Sequence, residues 1–266
     1  MNRATWTTIR RGLARIALAG LFGVAGLGGL LVLAPATWLD RGLVRASHGH
    51  LMLTATSGRL WAGQGTLQAL LPRGEAVTLA RLRWQLSLAG VPPRIGLSVL
   101  SEANAQPILA ARITPAGIEI SSLRIELPAA LLGAITPTLR EAEPAGQLGV
   151  SARDIMLAEG QFAGEIEILW RDAASSLSPV RPLGSYRLHL TGAGDRLDVD
   201  LSTSGPAALQ LTGQGQWQAG GTLRFDGQAR PDPAHAPELT PLLRIFGREI
   251  APGLYQLQLD PNVGAV

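Results

Sequence analysis

The 266-residue sequence contains no cysteine and no lysine, and aromatic residues make up only 5% of it. The absence of cysteine excludes a disulfide framework and thiol chemistry. The absence of lysine excludes the Ser-x-x-Lys and phosphate-loop signatures, and the sequence has no Gly-x-Ser-x-Gly nucleophile elbow. With so few aromatic residues, the core must consist mostly of Leu, Ile, Val and Ala. No signature of an enzyme is present, and none is predicted.

Charge is absent from one long segment, because no charged residue occurs between Ile16 and Leu39. A helix of about 20 apolar residues spans a bilayer core of roughly 30 Å, so this run is long enough to cross a membrane. Four arginines precede the run and two follow it closely, which orients the helix with its N-terminus in the cytoplasm. The sequence therefore predicts a cytoplasmic tail at 1–15, a transmembrane helix at 16–39 and an exported domain at 40–266.

A cleaved signal peptide is the alternative interpretation of the same run, since Ala34-Pro35-Ala36 has the small-x-small form of a cleavage site. A secretory hydrophobic region usually has about 7–15 residues, fewer than this run, and proline fits poorly beside a scissile bond. We therefore favour an anchor. With either interpretation, the residues after Asp40 fold outside the cytoplasm.

The sequence pI of about 10.4 reflects this topology rather than a basic binding surface. Four of the 23 basic residues precede the uncharged run, whereas all 20 acidic residues lie at or after Asp40. Charge in the exported part is therefore nearly balanced, and its arginines form no cluster in the sequence. Nucleic-acid-binding proteins usually carry such a cluster, so nucleic acid is not an expected partner.

After Asp40, alternation of apolar and polar residues predicts strands with one buried face. From 81 to 88, for example, Leu82, Trp84, Leu86 and Leu88 share one side and polar residues share the other. Further strands are predicted at 67–71, 95–99, 109–113, 118–127, 166–170, 186–190, 197–201, 209–213, 222–228 and 255–259. Such alternation is typical of antiparallel sheets with one solvated face. The predicted fold is mainly β, an antiparallel, curved sheet or a sandwich that follows the membrane helix.

Two short helices are predicted among the strands, at 128–135 and at 238–246, the second with Pro241 in its first turn and Gly247 as its cap. Each follows a series of strands, so the segments at about 51–135 and 146–247 are candidates for an internal duplication within one continuous sheet. The sequence from Gly58 to Gly63 is echoed by that from Gly160 to Gly164. Chance similarity among glycine-punctuated strands is the alternative.

The residues that resemble ligand sites lack the partners that such sites need. His48 and His50 would share one face of a strand, but no third zinc ligand lies near them. Asp195, Asp198 and Asp200 lack the glycine-bearing twelve-residue pattern of a calcium loop, and the other histidines are isolated. We predict no catalytic, cofactor-binding or metal-binding residue, and no cofactor.

Several short motifs resemble those of a known family in their order and spacing. They are Gly58 to Gly63, Arg83-Trp84-Gln85-Leu86, Gly164 to Trp170, Pro182 to Leu188, Leu211 to Gly215, and a helix with Leu242-Leu243 and Phe246-Gly247. Together with the N-terminal membrane helix, they resemble the general secretion pathway protein N family, the N component of bacterial type II secretion systems. The resemblance covers nearly the whole chain.

The resemblance implies a single-pass protein of the bacterial inner membrane with a periplasmic domain. Such a protein would work with a machine that exports folded proteins across the outer membrane, and the family has no catalytic residues to carry over. The first hypothesis is therefore a structural subunit that contacts other secretion subunits, for which strand addition at a sheet edge is one mode. The second, based on the one-sided strands, is a periplasmic lipid-binding or lipid-conducting β-groove with membrane lipid as its partner. The sequence does not indicate an oligomeric state.

Overall fold

The computed structural model of the protein describes residues 35–71, 74–103, 105–134, 137–158, 161–218 and 224–257. The strands of this part are β1 Leu51–Gly58, β2 Ala62–Leu70, β3 Ala76–Ala89, β4 Arg94–Ser101, β5 Pro107–Thr114, β6 Gly117–Pro128, β7 Ala145–Ala158, β8 Gln161–Ala174, β9 Gly184–Gly194, β10 Arg196–Thr203, β11 Leu209–Gln218, β12 Arg224–Pro231, β13 Gly247–Ala251 and β14 Leu254–Leu257. The helices are α1 Thr37–Ala46, a 3-10 helix at Ala129–Ala134, α2 Pro137–Ala142 and α3 Ala236–Phe246.

The 14 described strands form one antiparallel sheet in which neighbours along the chain are neighbours in space as far as β12. The sheet then ends in the order β12, β14, β13, because β14 lies between β12 and β13. Among the described strands, β1 and β13 each have one neighbour, so the sheet is open. The prediction of a mainly β, antiparallel fold is confirmed, and the fold is a curved sheet rather than a sandwich.

The two ends of the strands differ. One end of the sheet, which we call the turn end, is where β1, β3, β5, β7, β9 and β11 finish. The 3-10 helix, α2, the loop 175–183 and α3 lie at the other, which we call the helical end. This separation follows from the unbroken succession of antiparallel neighbours, since every second connection returns to the same end.

The sheet curls most strongly around β8 to β11. Cα atoms of β8 and β10, which are separated by β9, approach within 8 Å, and so do those of β9 and β11. Alternate strands of a flat sheet are about 9.6 Å apart. Glycines leave room for aromatic rings on the inside of the curl, because a Cβ at Gly192 would collide with Phe162 and one at Gly213 with Phe225.

The best-packed part of the apolar face lies at the helical end, where α3 covers the sheet. Leu239, Leu242 and Leu243 of α3 form one buried cluster with Tyr186 of β9, Leu209 of β11 and neighbouring residues. The Tyr186 phenol donates a hydrogen bond to the carbonyl oxygen of Leu209 at 2.9 Å. Burial raises the pKa of this phenol far above its usual value. The core therefore fixes α3 to the second half of the sheet.

The predicted strands correspond well to the observed ones: 82–88 falls within β3 and 186–190 within β9. The sequence prediction omitted β1, β7 and β13, and it omitted α1 and α2. The strand predicted at 255–259 appears as β14 to Leu257, and its last two residues lie outside the described ranges.

The predicted helices are present with corrections. The first is a 3-10 helix at Ala129–Ala134, and the second begins at Ala236, so Pro237 and not Pro241 lies in its first turn. Gly247 is the C-cap of that helix, as predicted, and its N–H donates to the carbonyl oxygen of Leu243; its φ of −158° is extended, and the chain continues directly into β13. An internal duplication stays a prediction; each half contains six strands followed by a short helix.

The predicted membrane segment falls almost entirely outside the described ranges, which begin at residue 35. The tail at 1–15 and most of the span at 16–39 therefore cannot be compared with observed elements. Residues 37–39 belong to α1, which continues past the predicted boundary to Ala46. Among the described helices, none has both the length and the apolar character needed to cross a membrane.

Candidate functional site

The face of the sheet that α3 covers is apolar along its length, and it is buried unevenly. The register of the strands aligns apolar residues in rows that run across the sheet. In one row, the successive cross-strand partners are Trp84 on β3, Val99 on β4 and Leu109 on β5. Trp84 is buried beneath the β1–β2 turn, where its indole Nε1 donates to the carbonyl oxygen of Leu60 at 3.1 Å. Val99 and Leu109 are only half-buried. The middle of the sheet therefore presents an apolar surface, and no second sheet covers it in the part of the chain that the structure describes.

At the turn end, this face finishes in a row of five large apolar side chains, of which all but the half-buried Ile95 are exposed. Leu88, Ile95, Ile113, Ile118 and Leu157 are successive cross-strand partners on β3 to β7. Leu88 is 60% exposed and Ile113 is 47% exposed. We call these five residues the apolar lip. Single exposed apolar residues are common on soluble proteins, but a contiguous row marks a surface that meets another apolar body.

The β1 edge of the sheet is covered by α1. The Asp40 carboxylate accepts the backbone N–H of Leu53 at 2.8 Å, and the Ser47 hydroxyl accepts that of Leu51 at 3.0 Å. Pro35 pairs with Arg59 just beyond the end of β1. These contacts occupy backbone groups that an incoming strand would need, so the edge is protected against strand addition.

The opposite edge, β13, has no such cover among the described residues. Four of its five residues have partners on β14, Ile250 lies in a register shift, and the strand has no described neighbour on its other side. Ile250 on this strand is 49% exposed, and Ile245 at the end of α3 is 67% exposed. Unpaired backbone groups beside exposed apolar side chains are the features that strand addition uses. The described sheet thus has one covered edge and one free edge.

The outer face is polar and has a depression of about 710 Å³ over β9 to β12. His189, Asp200, Gln214 and Asp226 are among the residues that line it. The side-chain amide of Gln214 donates to Asp200 at 3.4 Å, and that of Gln256 donates to Asp226 at 3.4 Å. No cluster of three metal-ligating side chains occurs in the described ranges. We therefore interpret the depression as a solvated polar surface.

The histidines and aspartates considered from the sequence are brought together only in part, because His189 is the cross-strand partner of Asp200 and both line the depression with Asp198. His48 is in the turn after α1 with φ of 51°, and His50 precedes β1, so neither histidine belongs to a strand. Asp195 lies between β9 and β10, where it accepts the side-chain amide of Gln218 at 3.0 Å. Asp198 and Asp200 are exposed on the outer side of β10. His48, His50 and Asp195 are not among the residues that line the depression.

Sequence reasoning missed the lip and the two edges, because each depends on which strands are neighbours. One signal for the lip was available, since apolar residues stand directly beside the predicted turns. Leu88 precedes the turn at 90–93, and Ile113 and Ile118 flank the turn at 115–116. Only the register shows that these residues form one row.

Comparisons with known proteins agree with one another. The family described as type II secretion system (T2SS), protein N, matches this chain over residues 49–258. Type II secretion system protein N from Aeromonas hydrophila is 29% identical to this chain over 262 residues, which cover 94% of this chain and 99% of that protein. No solved structure matches this chain. The residues matched by the family include every described strand.

Proposed function

We propose that this chain, which belongs to the type II secretion system protein N family, is an inner-membrane-anchored periplasmic subunit that holds another secretion subunit at its free sheet edge. Family membership supports the role in secretion. The uncharged run behind four arginines supports the anchor and the periplasmic placement of the sheet. The proposed mode of contact is based on the difference between the two edges: α1 covers β1, whereas β13 has no described neighbour on its outer side.

The free edge suits a partner strand of limited length. A backbone hydrogen bond contributes about 0.5–1.5 kcal/mol net, and β13 has only five residues, so strand pairing alone would hold a partner weakly. The exposed side chains of Ile250 and Ile245 lie beside the same edge and offer further apolar contact. A contact of this kind would be specific in register and reversible.

Deletion of the gene tests the cellular role. We expect reduced secretion of folded substrates through the type II pathway, with export across the inner membrane unchanged. Normal secretion in a clean deletion strain would contradict the proposal.

The mode of contact can be tested with single thiols, because the chain contains no cysteine. Ile250→Cys places one thiol at the free edge, and Ser57→Cys places one on the covered strand β1 as a matched control. With a thiol-to-amine cross-linker in intact cells, we expect adducts to another secretion subunit from Ile250→Cys alone. Equal adducts from both positions would show that the free edge has no special role.

A lipid-binding groove is the second candidate, and the half-buried apolar face with its exposed lip favours it. An acyl chain lying along the row that contains Val99 and Leu109 would bury apolar surface that the chain itself leaves partly exposed. Burial of such surface gives about 25 cal/mol per Å².

Adjacent residues on β4 provide a sharp test of the groove. Val99 belongs to the apolar row, whereas Ser98 is exposed on the opposite face. A photoreactive amino acid placed at each position in turn should give a phospholipid adduct at Val99 and none at Ser98. Adducts at neither position, or equal adducts at both, would contradict the lipid-binding groove as a function.

A further inference from the structure

We propose that the turn end of the sheet rests on a phospholipid bilayer, with the apolar lip in contact with acyl chains. The proposal deepens the lipid-groove candidate and rests on it, because it names where lipid would enter the groove. Four features of the turn end carry it: the lip, the point where the chain enters the sheet, the exposed tryptophans and the unpaired arginines.

The chain enters the described part of the protein at the turn end. Pro35 pairs with Arg59, which follows β1 at that end, and the predicted transmembrane segment lies directly before and around Pro35. Since neighbouring strands are about 4.8 Å apart, the β3–β4 turn lies within about 20 Å of Pro35. A bilayer that holds residues 16–34 would therefore lie beside the end of the sheet that carries the lip.

Exposed apolar and aromatic side chains gather at the same end. Val91, at the tip of the β3–β4 turn, is fully exposed. Trp38 in the first turn of α1 is 48% exposed, and Trp217 near the end of β11 is 37% exposed. Tryptophan is enriched at the headgroup level of membranes, because its ring is apolar and its N–H needs a polar partner.

Arginines border this end of the sheet. Arg94, Arg196 and Arg224 are the first residues of β4, β10 and β12, and Arg59 follows β1. All four are exposed, and none takes part in an ion pair within the described residues. Guanidinium groups bind phosphate in a bidentate manner. An apolar row flanked by unpaired arginines fits a surface of acyl chains beneath anionic headgroups.

The test uses the full chain reconstituted into vesicles of phosphatidylethanolamine and phosphatidylglycerol. Val91→Cys and Ile113→Cys each place a single thiol at the turn end, and both positions are exposed. Leu177→Cys is the matched control, because Leu177 is 41% exposed and lies in the loop at the helical end. Each thiol carries an environment-sensitive fluorophore, and a spin-labelled acyl chain in the vesicles acts as the quencher.

We expect loss of fluorescence at Val91 and Ile113 and none at Leu177. Equal quenching at all three positions, or no quenching at Val91 and Ile113, would overturn the proposal. The lipid adduct at Val99 is measured separately, so the two failures are distinguishable. Quenching at the lip without a lipid adduct at Val99 supports bilayer contact and contradicts lipid binding in the groove. An adduct at Val99 without quenching at the lip overturns bilayer contact and leaves a groove that is loaded elsewhere.

Discussion

At the scale of single residues, Tyr186 joins two strands through a buried hydrogen bond to the Leu209 carbonyl oxygen. The substitution Tyr186→Phe leaves that oxygen without its hydrogen-bond donor. This loss should lower the free energy of unfolding by about 1–2 kcal/mol. Urea unfolding followed by tryptophan fluorescence measures the difference. No loss of stability would contradict the role given to the phenol.

The same residue predicts a pH dependence. Burial raises the pKa of Tyr186 in the folded chain, whereas an unfolded tyrosine titrates near pH 10. The protonated phenol therefore makes its full contribution to the free energy of unfolding below about pH 10, and this contribution is lost as the pH rises further. Wild type should lose stability above pH 10 more steeply than Tyr186→Phe. If wild type and Tyr186→Phe lose stability identically above pH 10, the titration of another group causes that loss.

Glycine on the inside of the curl gives a second prediction at this scale. A Cβ at Gly192 would collide with the Phe162 ring, whereas a Cβ at Gly149 would meet only the Leu169 carbonyl oxygen at 3.9 Å. Overpacking of this kind costs about 1–3 kcal/mol. We expect Gly192→Ala to lower the melting temperature and Gly149→Ala to leave it nearly unchanged. Equal melting temperatures would mean that the ring of Phe162 moves aside freely.

At the scale of elements, α1 protects the β1 edge through a few side chains. Asp40→Ala removes the acceptor for the Leu53 N–H and should cost about 1 kcal/mol, since the site is partly exposed to water. It should also favour association through the bared edge. Light scattering during heating measures that association. Asp40→Asn retains an acceptor oxygen and serves as the control, so equal aggregation of the two variants would argue against the contact.

Most strand segments with simple alternation could be predicted from the sequence, whereas β1 and β7, in which a bulge interrupts the alternation, were missed. In β7 the register shifts between Arg153 and Met156, and Asp154 has φ of 50°. Leu148 and Ala152 before the shift, and Ile155 after it, are buried on one face although their spacing is no longer even. β1 has a similar shift between Thr54 and Ser57. A fixed period of two therefore missed both strands.

Helix boundaries were harder to predict for a different reason. α1 begins inside the run assigned to the membrane, so its first turn was counted with the predicted span. α3 begins two residues before the predicted start, since Pro237 suits the first turn of a helix and Pro241 is accommodated further inside. The core helix itself was found, because its apolar residues recur with helical spacing.

At the scale of the whole molecule, the sequence indicated one-sided strands but not whether the sheet closes. Closure depends on pairing between the first and last strands, which leaves no local pattern. The lip and the free edge are consequences of that openness. They could not be derived from residues such as Leu88 or Ile250 taken singly.

The anchor gives a prediction for the whole chain. If the uncharged run that begins at Ile16 is retained as an anchor, the chain should keep its uncleaved mass of 27.9 kDa and stay with membranes after alkaline carbonate extraction. Cleavage after Ala36 would also remove Pro35 and its pairing with Arg59. Intact mass spectrometry of the membrane fraction distinguishes the two forms. A mature chain beginning at Thr37 would contradict the anchor.

The cover that α1 places over β1 also limits how copies of this chain can combine. A sheet with two usable edges could join head to tail without end and grow into a filament. With β1 covered, β13 is the one edge of the described sheet that is open to a neighbour, so the described strands offer a single site for strand pairing. Two copies could meet at that edge as a closed, twofold pair, and a partner of another kind would take the same place. The fold therefore terminates an assembly of strands rather than propagating one.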